Sequence, residues 1–269
     1  MDHSGTLAPE VVAEIDTVMA NSTMSFGEIS HAAPRNGDTI FTWDYERTRD
    51  ALSRLYEKAK RSQWNATTDL DWSIDVDPAA VATEMQAMMQ AGGGRSIMAE
   101  IDGSPVARWT DAEWSRFRVE TLNWRLSQFL HGEQGALVCS AKIVETVPWI
   151  DAKYYASTQV FDEARHVEVF ARYLHEKLGG AFPVNPELQM LIDDVLADDR
   201  WDITYMGMQV MIEGLALAAF GFMHMMTNEP LLKQLLRYVM ADEARHVAFG
   251  TLSLAEYYKQ LSADEIRER

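Results

Sequence analysis

Residues 160–170 read VFDEARHVEVF, and residues 240–250 read MADEARHVAFG. The pentapeptide DEARH therefore occurs twice, 80 residues apart, within sequence that is otherwise rich in apolar side chains. In an α-helix, residues three positions apart lie on the same face. Each copy thus places a glutamate beside a histidine, Glu163 with His166 and Glu243 with His246.

The duplicated unit is larger than the pentapeptide. Glu133 precedes Glu163 by 30 residues, and Glu213 precedes Glu243 by the same distance. Glu213 lies in MQVMIEGLALAAFGFM (208–223), where an unpaired buried carboxylate would cost several kcal/mol unless a cation lies beside it. Four glutamates and two histidines can bind two divalent cations without residual charge. A single Glu-x-x-His pair is usually solvated, but two matched copies predict a metal site with six ligands: Glu133, Glu163, His166, Glu213, Glu243 and His246.

Composition narrows the class of protein. The net charge is −17, from 41 acidic and 24 basic residues, and such a field repels phosphate backbones, so nucleic acid is not an expected partner. The single cysteine, Cys139, fits a reducing compartment. We expect no membrane span and no signal peptide, because no apolar run approaches the roughly 18–20 residues of a span and the first ten residues lack a basic start. The sequence therefore predicts a cytoplasmic protein.

Helical periodicity and breakers divide the chain into two parts. Residues 1–108 are heterogeneous and are predicted to form a partly helical N-terminal extension. Residues 109–269 are predicted to form a helix bundle, with long helices beginning near 110, 151, 201 and 230. Thr110 with Glu113 and Ser262 with Glu265 have the spacing of capping boxes. Because the chain stops soon after Ser262, we expect that a C-terminal helix is missing.

One glutamate from each of two helices, with Glu-x-x-His from each of the other two, resembles the ferritin-like di-iron and di-manganese proteins. The resemblance covers about residues 110–259. The 30-residue step resembles hydroxylase subunits of bacterial multicomponent monooxygenases and ring-epoxidising oxygenases and, more distantly, the ribonucleotide reductase small subunit. It implies an all-α fold, a ferritin-like four-helix bundle with an N-terminal helical extension.

The resemblance also assigns roles to the rest of the pentapeptide. In these families the aspartate before the ligand glutamate accepts a hydrogen bond from the ligand histidine of the other repeat. This would pair Asp162 with His246 and Asp242 with His166, fixing the orientation of both rings. Arg165 and Arg245 would then neutralise the aspartates.

Carboxylate-rich ligation without cysteine favours iron or manganese over zinc. We expect two iron ions, with manganese or a mixed Mn/Fe pair as the alternative, and O₂ as a reactant. Side chains one turn from the ligands are candidates for an apolar substrate pocket; they are Ala136, Leu137, Phe170, Ala216, Leu217 and Phe220. Gln159 and Gln209 each precede a ligand glutamate by one turn, near enough to hydrogen-bond beside the metals.

Three positions depart from the resembling families. Many of the hydroxylases carry threonine where this chain has Leu217, and many reductase subunits carry a tyrosine where it has Phe170. Arylamine N-oxygenases add a histidine where it has Val239. Each difference weakens the match to one activity and leaves the di-metal class in place.

The leading interpretation is an O₂-activating non-haem di-iron oxidase or monooxygenase, acting on a small, apolar or aromatic molecule. The alternatives are a radical-generating subunit like that of ribonucleotide reductase, and a ferroxidase or iron-storage protein. The family likeness implies a possible electron-donor protein and a possible homodimer. Under this ligand assignment, Glu213→Ala is expected to remove one metal equivalent.

Overall fold

The computed structural model describes residues 30–33, 37–91 and 105–269, and all regular secondary structure in these ranges is helical. Much of the predicted extension, residues 1–29, 34–36 and 92–104, lies outside the described residues. The helices longer than five residues are α1 (Asp50–Arg61), α2 (Pro78–Ala91), α3 (Asp111–Thr146), α4 (Ile150–Lys177), α5 (Pro186–Ala197), α6 (Trp201–Met226), α7 (Pro230–Tyr257) and α8 (Ala263–Glu268). Short 3₁₀ turns span Pro105–Arg108 and Tyr258–Gln260.

The four long helices, α3, α4, α6 and α7, form the predicted bundle. Helix α3 packs along α4, and α6 packs along α7. The predicted start signals are present, since Thr110 and Glu113 form a capping box, as do Ser262 and Glu265. Helix α7 begins at Pro230, a residue whose missing N–H costs nothing at that position. The all-α bundle predicted from the sequence is confirmed.

Two of the three apolar clusters among the described residues lie on opposite sides of a polar layer in the bundle. On α4, Ala156 belongs to one cluster and Val169 to the other, and on α7 Phe249 and Val239 are divided in the same way. The predicted ligands fall between these positions on each helix. The apolar clusters thus fix the four helices on both sides of a layer that is charged.

Elements of the N-terminal part are packed into the same clusters. Helix α1 contributes Leu52 and Ala59 to the cluster that holds Phe249. The segment after α1 contributes Trp64 and Leu70 to the other cluster. The described part of residues 1–108 therefore shares its apolar core with the bundle.

Helix α6 contains a π-helical segment, Tyr205–Ile212, that ends directly before Glu213. The backbone N–H of Glu213 donates to the carbonyl of Met208, five residues earlier. Close packing surrounds this segment, because a Cβ atom added at Gly207 would lie 2.5 Å from Val195 Cγ2. The wide turns set the rotation at which Glu213 enters the interior.

The sequence-based expectation that no stretch is long and apolar enough for a membrane span is wrong for α6. Trp201–Met226 is 26 residues long and contains an 18-residue window with a mean hydropathy of 1.5. In the structure this helix is part of the bundle and carries Glu213 on its buried face. Length and composition alone do not separate a bundle helix from a membrane span.

Candidate metal centre

The six predicted ligands converge in the polar layer of the bundle. All are buried, and none exposes more than 6% of its surface. Their donor atoms form two groups, in each of which all atoms lie within 4.8 Å of one another. The first group is Glu133, Glu163, His166 and Glu243, and the second is Glu163, Glu213, Glu243 and His246.

The two groups share Glu163 and Glu243, the glutamates of the two pentapeptides. Each group adds one further glutamate and one histidine of its own. This is the donor set of two adjacent cation positions with two common carboxylates, and its oxygen-rich composition suits iron or manganese. The duplicated sequence therefore produces a nearly symmetric site.

Several buried polar atoms of these side chains lack hydrogen bonds, as expected for ligands of a cation pair. Glu163, Glu213 and Glu243 each have at least one buried carboxylate oxygen without a hydrogen bond, and Nδ1 of His246 makes no well-directed hydrogen bond although it lies 3.0 Å from Glu163 Oε1. Buried polar atoms without partners are costly and rare in native proteins. Cations at the two positions would satisfy them.

The aspartates have the hydrogen-bond partners that the family resemblance implies. Nε2 of His166 lies 3.1 Å from Asp242 Oδ2, and Nε2 of His246 lies 3.3 Å from Asp162 Oδ2. With Nε2 donating outward, each ring presents Nδ1 to the glutamates; Nδ1 of His246 is 3.0 Å from Glu163 Oε1. The aspartates therefore select the ring nitrogen that faces a metal.

The two arginines link the aspartates of both repeats. Nη2 of Arg165 donates to Asp162 (2.6 Å) and to Asp242 (2.8 Å). Nη2 of Arg245 also donates to both aspartates. All four side chains are buried, so this is a closed network of two positive and two negative groups.

Two residues of the N-terminal part complete this network and were missed by sequence reasoning. The indole N–H of Trp64 donates to Asp242 Oδ2 at 2.8 Å. Gln63 donates to Asp162 at 3.1 Å and accepts from Arg165 at 2.7 Å. Neither residue belongs to the repeated unit, and a Gln-Trp pair after a helix has no motif that marks it as part of a site.

The two glutamines near the ligands have different environments. Nε2 of Gln159 donates to Glu163 Oε1 (3.1 Å) and to Glu213 Oε1 (2.8 Å), so it lies within the site. Gln209 is fully buried, but neither of its amide atoms has a hydrogen-bond partner among the described residues. Its Cβ instead packs where a side chain at Gly250 would lie. Of these two glutamines, Gln159 alone hydrogen-bonds to the ligand glutamates.

The charges of the metal-free site stabilise protonated groups. Burial, together with the charge of Glu243, raises the pKa of Glu133 and Glu213 well above the ordinary carboxyl value. Burial alone would lower the pKa of the histidines, but neighbouring carboxylates outweigh it, so the pKa of His166 and of His246 is raised well above the ordinary value. Without metal, protons therefore supply positive charge in this layer.

Metal binding is accordingly expected to release protons. A divalent cation needs neutral imidazoles and ionised carboxylates, and both raised histidine pKa values and both raised glutamate pKa values oppose those forms. The apparent affinity for Mn²⁺ should therefore increase as pH rises through neutrality. Calorimetric titration in two buffers with different protonation enthalpies measures the release. Heats that do not depend on the buffer, with an affinity that does not depend on pH, would contradict this.

A cavity of about 360 Å³ opens beside the centre. The ligands Glu133, Glu213 and Glu243 form part of its wall. Its remaining lining comes from three helices and the residue before α5: Trp124, Gln128, Phe129, Gly132, Ala136, Asn185, Leu188, Ile212, Ala216 and Phe220. The ligands are thus reachable from a mostly apolar pocket.

Half of the predicted pocket residues line this cavity, namely Ala136, Ala216 and Phe220. The prediction is wrong for Leu137 and Leu217, because each follows a lining alanine and is rotated by about 100° to a half-buried position. It is also wrong for Phe170, whose ring is buried in the core 5.7 Å from that of Phe220. The contributions of Asn185 and Leu188 depend on how α5 folds back, which no local pattern indicates.

The structure is an all-α helix bundle with a buried carboxylate–histidine cluster that could hold two metal ions, and its fold is like that of ferritin-like helical proteins. Among solved structures, this chain is similar to an R2-like ligand-binding oxidase variant with an anaerobically reconstituted Mn/Fe cofactor, at 22% identity and a TM-score of 0.53, covering 77% of this chain and 72% of that one. It is also similar to a variant of such an oxidase reconstituted aerobically, at 21% identity and a TM-score of 0.51, with the same coverages. The chain matches no protein-family model and no curated protein sequence.

Proposed function

We propose that this protein is an O₂-activating oxidase or monooxygenase with two metal ions, either iron or an Mn/Fe pair, that oxidises a small organic molecule. The observation that carries the proposal is the overlap of two buried donor groups at the wall of an apolar cavity. The similar R2-like ligand-binding oxidases with Mn/Fe cofactors support it. When bound in reduced form, such a metal pair would supply the electrons for activating O₂.

The chain's own residues would orient and isolate that pair. His166 and His246 would each bind one metal through Nδ1, with Asp242 and Asp162 holding the rings. Gln159 would fix Glu163 and Glu213 by its amide. The apolar clusters on both sides would limit the access of water to the layer, leaving the cavity as the route to the ligands.

The cavity favours a compact apolar substrate with an aromatic or similarly flat part. Its volume of about 360 Å³ lies at the small end of ligand pockets. The rings of Phe129 and Phe220, whose centroids are 4.6 Å apart, form an aromatic wall. A substrate placed against these rings would lie next to Glu133 and Glu213.

Filling the cavity should separate substrate oxidation from metal binding. In Ala216→Trp, the indole would occupy space now open beside Phe220 and would exclude the substrate from it, so we expect substrate binding to weaken roughly tenfold or more. Metal content should stay at two equivalents. Substrate-dependent O₂ uptake is the measurement, and Ala181→Trp, at an exposed position, is the control. Unchanged uptake in Ala216→Trp would exclude this cavity as the substrate site.

Anaerobic reconstitution with Fe²⁺ or Mn²⁺, followed by O₂, tests the proposed activity against its alternatives. An oxidase or monooxygenase should consume O₂ faster when a small aromatic substrate is present and should release an oxidised product. A long-lived organic radical without product would instead indicate a radical-generating subunit. Accumulation of a ferric mineral would indicate iron storage.

A further inference from the structure

Each long helix of the bundle contributes one buried hydroxyl group on the same side of the metal layer, toward the end where α6 begins. Seven or eight residues separate each of them from a ligand, which places them about 10–12 Å from the ligands along the helix axes. None exposes more than 1% of its surface, and the described residues offer no well-formed hydrogen bond to any of the four hydroxyls. We call these residues the hydroxyl layer: Ser140, Tyr155, Tyr205 and Ser253.

The opposite side of the metal layer is apolar at a similar distance. Seven residues from the ligand glutamates in the other direction lie buried apolar side chains: Leu126, Phe170, Phe220 and Leu236. The residue that matches Ser253 in the repeat, Tyr173, has a partner for its hydroxyl, which donates to Glu229 at 3.1 Å. The cavity extends on this side, and none of the described residues that line it carries a hydroxyl. Buried hydroxyls without partners are therefore confined to one side of the ligands.

Two glutamines lie between the hydroxyl layer and the ligands. Gln159 and Gln209 each precede a ligand glutamate by four residues, or about 6 Å along the axis. Gln159 donates to Glu163 and Glu213, whereas its Oε1 has no partner among the described residues. Both amide atoms of Gln209 lack a partner, and its Cβ packs against α7 at Gly250. The amides thus extend the polar groups from the hydroxyl layer to the ligands.

Packing brings three members of the hydroxyl layer into one region. The rings of Tyr155 and Tyr205 both contact Phe249, with centroids 4.4 Å and 5.0 Å from that of Phe249. Burial raises the pKa of Tyr205, and the nearby hydroxyl of Ser253 opposes this rise, so these two hydroxyls are neighbours. The polar groups of α4, α6 and α7 therefore face a common part of the interior.

Tyr258 and Asp202 connect this region with the protein surface. Tyr258 is half-buried and packs against the cluster that contains Tyr155 and Tyr205. Burial, together with the neighbouring carboxylate of Asp202, raises the pKa of the Tyr258 hydroxyl to about 12. Asp202 accepts a hydrogen bond from the half-buried Arg269 at 2.5 Å. A hydroxyl and a carboxylate thus lie between the hydroxyl layer and residues that reach solvent.

Internal water is the usual partner of buried polar groups that the protein leaves unsatisfied. A water molecule can bond to two or more such groups, and here several lie within one part of the interior. Waters and hydroxyls both donate and accept hydrogen bonds, so a connected series of them can pass protons along. The apolar cavity is a poor alternative, because a substrate bound there would displace its water.

We propose that the hydroxyl layer and the two glutamines hold internal water molecules that carry protons from solvent to the metal layer. On reduction to water, O₂ takes up one proton for each electron, and these protons must reach a buried site. Each proton delivered at the inner end would be replaced from solvent near Asp202. The proton-carrying role rests on the proposed function, whereas the bound waters do not depend on it.

A high-resolution crystal structure of the metal-free protein tests the waters. We expect ordered waters within hydrogen-bonding distance of the Gln209 amide and of the hydroxyls of Tyr155 and Tyr205. Gln209→Met keeps the approximate size of the side chain and removes its polar atoms, so it should lower the melting temperature if water satisfies the amide. A dry interior would overturn the proposal. So would a Gln209→Met protein that melts above the wild type, because an apolar side chain is favourable only where the amide is unpaired.

Stopped-flow measurement of proton uptake tests the conducting role. The reduced, metal-loaded protein is mixed with O₂ in a weakly buffered solution that contains a pH indicator. We expect Gln209→Met and Tyr205→Phe to slow proton uptake roughly tenfold or more and to increase its solvent deuterium isotope effect, at unchanged metal content. Tyr173→Phe is the matched control, since it also removes a buried tyrosine hydroxyl but lies on the apolar side of the metal layer. It should change neither the rate nor the isotope effect.

The outcomes separate this inference from the proposed function. Uptake at the wild-type rate in both Gln209→Met and Tyr205→Phe would overturn the conducting role while leaving the oxidase in place. Equal slowing in Tyr173→Phe would also overturn it, since general loss of packing would then explain the effect. A wild type that takes up no protons with O₂ would contradict the proposed function itself, and the conducting role with it.

Discussion

Glu243→Ala is expected to abolish metal binding at both positions, whereas Glu213→Ala is expected to leave one position filled. Glu243 belongs to both donor groups, while Glu213 belongs to one. Loss of a shared carboxylate removes a ligand from each cation. It also removes negative charge that would offset the repulsion between the two cations. The bound metal should therefore fall from two equivalents to near zero in the first variant and to one in the second.

Elemental analysis after anaerobic reconstitution measures this difference. Glu168→Ala is the control, since Glu168 is exposed on the same helix as Glu163 and belongs to neither group. Equal losses in Glu213→Ala and Glu243→Ala would mean that the two positions are not arranged around shared carboxylates. Full occupancy in Glu213→Ala would refute its assignment as a ligand.

The second large effect is expected from Asp162→Ala, on stability. Asp162 accepts hydrogen bonds from Arg165, Arg245 and His246 inside the bundle. Breaking a buried charge network by removing one partner typically costs about 3–5 kcal/mol, because the opposite charges remain buried. We expect a loss of that size in the metal-free protein, so that the effect does not reflect altered metal binding.

Urea denaturation of the metal-free protein gives the free energy of unfolding. Asp194→Ala, at an exposed position on α5, should change it by less than about 0.5 kcal/mol. A change below about 1 kcal/mol for Asp162→Ala would show that Arg165 and Arg245 find other partners or reach water. Asp162→Asn, which keeps the shape of the side chain, distinguishes loss of charge from loss of packing.

The sequence predicts the bundle and the ligands because both depend on local spacing. Helical periodicity and capping residues such as Thr110 define α3 without tertiary information. The exact repetition of the Glu and Glu-x-x-His unit supplies a second, independent pattern that identifies Glu133 and Glu213 among many other acidic residues. A duplicated functional unit can therefore be recognised from a single sequence.

The remainder of the site depends on contacts between distant segments. Trp64 reaches Asp242 across 178 positions, and nothing near either residue encodes that distance. Phe170 is the converse case, a residue that the sequence predicts in the pocket and the structure places elsewhere. Its position on the helix predicts a place near the ligands, but its ring packs against Phe220 in the core. Register restricts the direction of a side chain, but the neighbouring helix decides whether that direction meets open space.

The π-helical segment before Glu213 means that the length of residues 205–212 matters as much as their chemistry. These wide turns accommodate residues that a regular helix of the same rise would not hold. A regular α-helix with the same number of residues would wind further between Trp201 and Glu213 and would turn Glu213 away from its present direction. Among relatives, substitutions in this stretch would be tolerated more readily than insertions or deletions.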